Sequence, residues 1–263
     1  MAHRSLVRTA ALGVAAATAV FAAPGAFAAS TTAAPLQLTA AQAHQESHGL
    51  HALSRHSNTT VSSSNWSGYA ATGGSGAFTS VSSSWTQPTL TCTSTTTYSS
   101  YWVGLDGYSN SALEQTGTEA DCIGGKAVYG AWWEVLPASE SAYSVTVKAG
   151  DSLSASVVDN GNGTFTMKLT DSTEGWTKTT TANGSSGYQD SSAEVIAEAT
   201  EVNGSIAKLS DFGTVNFSSA KADGNSLGNY SPTEIVMAGS SDTKAQPGSI
   251  SGGSFSVTWE HYS

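Results

Sequence analysis

From about residue 61 onward, short runs rich in Val, Thr, Tyr, Trp and Ser alternate with Gly, Asn, Asp and Pro. That alternation is the mark of strands broken by turns. It predicts strands at 78–86, 98–105, 127–135, 143–147, 153–158, 164–170, 194–199 and 255–259, and a hairpin turn at Asn160-Gly161-Asn162-Gly163. No stretch sustains a helical period. Roughly 200 residues of this kind predict one all-β domain, an antiparallel β-sandwich with chain enough for a sizeable core. Alternation also assigns faces. Val103 and Leu105 point one way, and Trp102, Gly104 and Asp106 the other. Ala193, Val195, Ala197 and Ala199 face a core, and Glu194, Ile196 and Glu198 face away from it. A sheet face carrying two acids and an indole at strand spacing is a candidate groove floor. An ordinary solvated face is the competing reading.

The first 60 residues are of another kind. Arg4 and Arg8 precede an apolar run over 10–23, then Pro24-Gly25 and Ala26-Phe27-Ala28, which predicts a cleaved secretory signal over 1–28. The run is about 14 residues, short of the roughly 20 that span a bilayer. Residues 29–60 are rich in Ala, Gln, Ser and His and are read as a pro-segment, leaving 61–263 as the folded domain. His44, His48 and His51 would share one face of a helix. A metal site there is the lesser reading against a solvated leader. A basic leader over an acidic groove would be released when the groove's carboxyls protonate, below about pH 4–5.

Charge narrows the function. Beyond residue 57 there are seven lysines, no arginine and nineteen acids, which excludes binding to a phosphate backbone. Charged residues make up 11% of the chain, against about 25% in ordinary proteins. A surface of Ser, Thr, Gly and Asn has few ion pairs to lose in acid. The two cysteines, Cys92 and Cys122, are expected to pair in an oxidising compartment.

Candidate chemistry follows by elimination. Past residue 57 the only histidine is His261, so a Ser–His–Asp triad or a multi-histidine zinc site has little to build on. Neither GxSxG nor HExxH occurs. A hydrolase here would work through carboxylates, amides and hydroxyls. Four segments stand out: 64–69 (Ser-Asn-Trp-Ser-Gly-Tyr), 102–119 (Trp-Val-Gly-Leu-Asp-Gly through Glu-Gln-Thr-Gly-Thr-Glu), 131–137 (Ala-Trp-Trp-Glu-Val-Leu-Pro) and 192–198 (Ser-Ala-Glu-Val-Ile-Ala-Glu).

In order and approximate spacing these segments resemble the glutamic peptidases, or eqolisins, of fungi and some bacteria, over most of the chain from Ser64. The chain is read as a bacterial, secreted member. The resemblance implies a sandwich of two large bent antiparallel sheets with the active site on the concave face. It places a catalytic glutamine at Gln115 and a catalytic glutamate at Glu194. It puts Trp66 near the dyad, and Trp102, Asp106, Glu119, Glu134 and Glu198 around the cleft. Where the family commonly has tryptophan after the catalytic glutamate, this chain has Val195, whose side chain alternation sends into the core. The Cys92–Cys122 pair does not match the fungal disulfides. The implied activity is acid endopeptidase action on protein or peptide substrates, with no metal and no cofactor, by an extracellular monomer that touches neither nucleic acid nor membrane once the signal is removed. The alternative is a carbohydrate-binding sandwich, either a lectin-like module using the chain's tryptophans and tyrosines or a glycosidase using paired acids such as Glu134 and Glu194.

Overall fold

The computed structural model describes residues 46–49, 54–55 and 59–262. The signal segment and His44, His51 and His56 lie outside the described residues. Fourteen strands of four or more residues carry the fold: β1 (Thr60–Ser63), β2 (Trp66–Thr72), β3 (Ser80–Thr86), β4 (Ser100–Leu105), β5 (Glu114–Ile123), β6 (Lys126–Val135), β7 (Ser152–Asp159), β8 (Thr164–Asp171), β9 (Trp176–Asn183), β10 (Ser192–Glu198), β11 (Thr214–Ala222), β12 (Thr233–Ala238), β13 (Thr243–Pro247) and β14 (Phe255–Trp259). The one helical turn described is a short 3₁₀ segment, Leu227–Tyr230.

Two layers form a sandwich. The back layer runs β9–β8–β7–β3–β11–β14. The front layer runs β12–β2–β10–β4–β5–β6. Pairing is antiparallel except where β1 runs parallel to β12. The two layers are one hydrogen-bonded sheet, continuous through β13 and β14, where the resemblance implies two sheets.

Residues of alternating polarity sort themselves between these layers. Val81, Trp85, Leu153, Val157, Phe165, Met167, Leu169, Phe217 and Val257 come from behind. Tyr69, Tyr101, Val103, Leu105, Val195 and Ala197 come from the front, in one buried core. Val195 is fully buried in it, as alternation predicts. Each large side chain taken from water contributes about 1.5–3 kcal/mol, so the core fixes the register of the front strands. Cys92 and Cys122 are joined, with Cα atoms 5.5 Å apart, tying the segment before β4 to β5.

Two predictions fail locally. The 143–147 run is irregular; the strand there is only Ser141–Ala142, paired to β6. Tyr143 instead hydrogen-bonds Thr180 through its hydroxyl. β1, β2, β5, β9, β11, β12 and β13 lie outside the predicted runs; the Thr-rich run of β9 presents few apolar side chains and reads as turn, whereas β11 carries the alternating, buried Val215 and Phe217. His48 does not sit on a helix. Glu46–Ser47 is a short strand paired with Glu201–Val202, and residues 48–49 follow without regular structure.

Candidate active site

The outward face of the front layer is built in rows, because residues opposite one another on antiparallel strands share a face. The first row is Ala70, Glu194, Gly104, Gln115 and Glu134, across β2, β10, β4, β5 and β6. The second is Gly68, Ile196, Trp102, Gly117 and Trp132. The third is Trp66, Glu198, Ser100, Glu119 and Gly130. Gln115 and Glu194 therefore stand two strands apart in one row, about 9–10 Å between backbones at the usual strand spacing. Gly104 is the residue between them.

The space over Gly104 is taken up by Leu113 and Trp102. A Cβ there would stand 2.9 Å from Leu113 Cδ1, 3.0 Å from Trp102 Cζ3 and 3.3 Å from the Gln115 Cβ. Gly130 likewise makes room for Glu119, whose Oε1 would lie 2.1 Å from an added Cβ. Packed around the rows are Trp66, Trp102, Leu113, Trp132 and Ile196. Trp66 meets Trp102 edge-on at 4.9 Å.

The polar groups divide by what they touch. Gln115 donates from Nε2 to Glu134 Oε2 at 2.6 Å, while its Oε1 has no hydrogen-bond partner. Neither carboxyl oxygen of Glu194 has one, although the residue is fully buried. Burial pushes the Glu194 carboxyl well above its ordinary value, opposed by the nearby Ser192 hydroxyl, which falls short of a well-formed hydrogen bond, and helped by the charges of Asp106 and Glu114. Burial likewise pushes Glu134 up to about 8. Unsatisfied buried acceptors on one sheet face are what a site for water and a polar ligand presents.

Asp106, expected among the cleft acids, does other work. Its Oδ1 accepts from Ser191 N, Ser191 Oγ and Asn110 Nδ2, and its Oδ2 from Gln189 N and Asp190 N, all between 2.7 and 3.0 Å. It sits at φ 67°, the left-handed turn that carries the chain out of β4. Although burial opposes it, these donors hold its carboxyl below the ordinary range. Asp106 anchors the loop that leads into β10 and so sets the height of Glu194. Glu114, pushed by burial to about 8, accepts from Ser185 N at 2.6 Å and braces the same side.

Glu198 accepts three hydrogen bonds: Trp102 Nε1 at 2.7 Å, Asn65 Nδ2 at 2.9 Å and His48 Nδ1 at 3.1 Å. His48 lies flat on Trp132, centroids 4.0 Å apart and planes within 2°. Its Nε2 meets Glu140 Oε2 at 3.1 Å. The elimination argument set the leader histidines aside, yet one of them enters this face. Trp132 was within reach of sequence reasoning, since it alternates with Glu134 on one strand. Glu140 and His48 carried no such signal. A hollow of about 350 Å³ continues past Gly49, lined by Gly107, Tyr108, Asn110 and Leu136. Another, of about 280 Å³, lies on the back layer among Ser82, Ser84, Ser154 and Lys168 and touches none of these groups. No cluster of potential metal ligands occurs among the described residues.

Residues 64–259 match the model of the peptidase A4 family. The chain belongs to that family. Aspergillopepsin-2 of Aspergillus niger is 32% identical over 168 residues, 61% of this chain and 58% of the relative, so the match spans little more than half the relative's length. Scytalido-glutamic peptidase, solved with a transition-state analogue inhibitor, is 25% identical with a TM-score of 0.65, over 75% of this chain and 98% of that one. Aspergilloglutamic peptidase from Aspergillus niger is 27% identical with a TM-score of 0.57, over 62% and 99%. In this peptidase A4 protein Gln115 and Glu194 share one row of the front layer.

Proposed function

We propose that this chain is a secreted bacterial acid endopeptidase, made as a precursor with residues 29–60 as its pro-segment, that hydrolyses peptide bonds through Glu194 and Gln115. The observation that carries the reading is the first row: a carboxyl and an amide, both with unsatisfied oxygens, share one face across a glycine. A water held between them would lose a proton to Glu194 as it attacks the substrate carbonyl. Glu194 would then pass a proton to the leaving amine. One N–H of the Gln115 amide is held by Glu134 and the other is left for the developing oxyanion. Glu134 is thus a positioning residue. A buried Glu194 binds its proton tightly because the charged form is desolvated. Water entering the cleft relieves part of that penalty, and the carboxylate formed there is the group that can take the water's proton.

The sugar-binding reading needs exposed aromatic platforms. Among the described residues the only exposed large hydrophobic side chain is Val158, and the tryptophans of the front face are packed. Digestion of a mixed peptide library at pH 3, beside a polysaccharide pull-down, separates the two. Internal cleavage without sugar retention is expected, and it should persist with a chelator present. Sugar retention without cleavage would reverse the assignment.

A further inference from the structure

On β3, β7 and β8 the side chains that alternate away from the core are all Ser or Thr, except Val158 and Lys168. None is Asp or Glu, in a chain with 20 acidic residues. The strand register sets one row across this outer face of the back layer: Lys168 on β8, Ser156 on β7, Ser82 on β3 and Lys221 on β11. Two ammonium groups thus bracket two hydroxyls, with about 14 Å between the outer backbones at the usual strand spacing. The next row is Thr170, Ser154, Ser84 and Ser218. Residues of both rows line the hollow of about 280 Å³. Lys221 reaches this face through a bulge. Between Ser218 and Lys221, β11 holds one residue more than β3, and Ser219 sits at φ 53°, a left-handed conformation that side chains disfavour. Without the extra residue Ala220 would pair with Ser82, and Lys221 would point into the core. With it, Ala220 is buried and Lys221 is exposed. Among the described residues, neither Lys168 nor Lys221 meets a carboxylate within ion-pair reach.

We propose that this hollow is a binding site for a small compound carrying two linked phosphates, one met by Lys168 and the other by Lys221, over a floor of serine hydroxyls. The choice of ligand follows from the donors. Every side-chain polar group in the lining can donate a hydrogen bond, and its only charges are positive. A planar carboxylate is best met by the two-pronged guanidinium of arginine, and no arginine lies in the lining. Lysine is a compact point charge on a flexible stem, which suits a tetrahedral oxyanion, and Ser and Thr hydroxyls serve as its partners at phosphate oxygens. Two lysines are too few for a phosphate polymer, whose affinity is built from many such contacts, but they match the two ends of one small ligand. Acid does not abolish the pairing. A phosphate keeps one negative charge below its second pKa of about 6, whereas a carboxylate is neutralised below about pH 4. No aromatic ring lines the hollow, so recognition stops at the phosphates. The hollow lies on the layer opposite Glu194 and Gln115, so its ligand does not compete with anything held at the front face. The inference does not depend on the peptidase reading.

The test titrates inorganic pyrophosphate into the full chain at about pH 6 and low ionic strength, where exposed charges are least screened. Calorimetry and amide NMR follow the binding. A saturable one-to-one complex is expected, with shifts centred on Ser82, Ser156, Lys168 and Lys221. Lys168→Gln and Lys221→Gln should each weaken it by about fivefold, the upper range for one exposed charge pair, and the double variant should abolish it. Lys126→Gln, on β6 of the front layer, changes the net charge equally and should leave the affinity as it was. Both lysines of the row are exposed, so these variants are expected to keep the parent Tm without ligand, while pyrophosphate raises the Tm of the parent alone. Succinate, a small dicarboxylate, should bind more weakly than pyrophosphate. The proposal is overturned if no saturable complex forms, if the double variant binds pyrophosphate as the parent does, or if succinate binds as tightly.

Discussion

At the scale of single residues, Glu134 and Gly104 decide whether the amide and the acid can act together. Glu134→Ala removes the 2.6 Å acceptor that fixes the Gln115 amide. A wandering oxyanion donor costs about as much as a missing one, on the order of 10²-fold in kcat. Glu134→Gln keeps an acceptor oxygen at the same reach, so steady-state kinetics should show it recovering most of that loss. Gly104→Ala is expected to cut kcat and to lower thermal stability as well, because its methyl group meets the buried Leu113 and Trp102 side chains and intrudes between the two reacting groups. Alternation showed which way Glu194 faces, while Gln115 came forward only through the family resemblance. The role of Asp106 was not legible, because a string of letters shows an acid and not the five donors that close on it.

At the scale of elements, the turn out of β4 and the loop into β10 form one unit through Asp106. Asp106→Ala would leave the Gln189, Asp190 and Ser191 N–H groups without their acceptor. Unmade bonds to buried groups cost about 1–3 kcal/mol each, so urea unfolding should show a loss of several kcal/mol, with activity falling alongside. Asp106→Asn keeps oxygen on one side only and should fall between. The stabilisation from Asp106 is present above the ordinary aspartate value and disappears as pH falls through its lowered one. The strands that build the site were readable because apolar residues alternate along β4 and β10. Strand β9 was not, since a Thr-rich strand looks like loop until a neighbour supplies its hydrogen bonds.

At the scale of the whole molecule, raised carboxyl pKa values tie stability to acid. Glu114 and Glu134 are held near 8 and Asp190 near 6 by burial, and Glu194 is raised with them. Each binds its proton more tightly folded than unfolded, so between about pH 4.5 and 8 the folded chain carries more protons and stability falls as pH rises. Calorimetry should therefore give a higher Tm at pH 4.5 than at pH 8; the reverse order would mean that these acids are ionised in the folded protein. The sandwich, the disulfide and the family were all within reach of the sequence. The seat of His48 was not, because it depends on a leader segment meeting three front-face strands that are distant in the chain. The most direct test of the dyad is the turnover of one internally quenched peptide at pH 3–4 by the Glu194→Gln protein, with its Tm measured beside it. A loss of at least 10³-fold in kcat with an unchanged Tm is expected, whereas turnover within tenfold of the parent would contradict the assignment of Glu194 as the group that moves the proton.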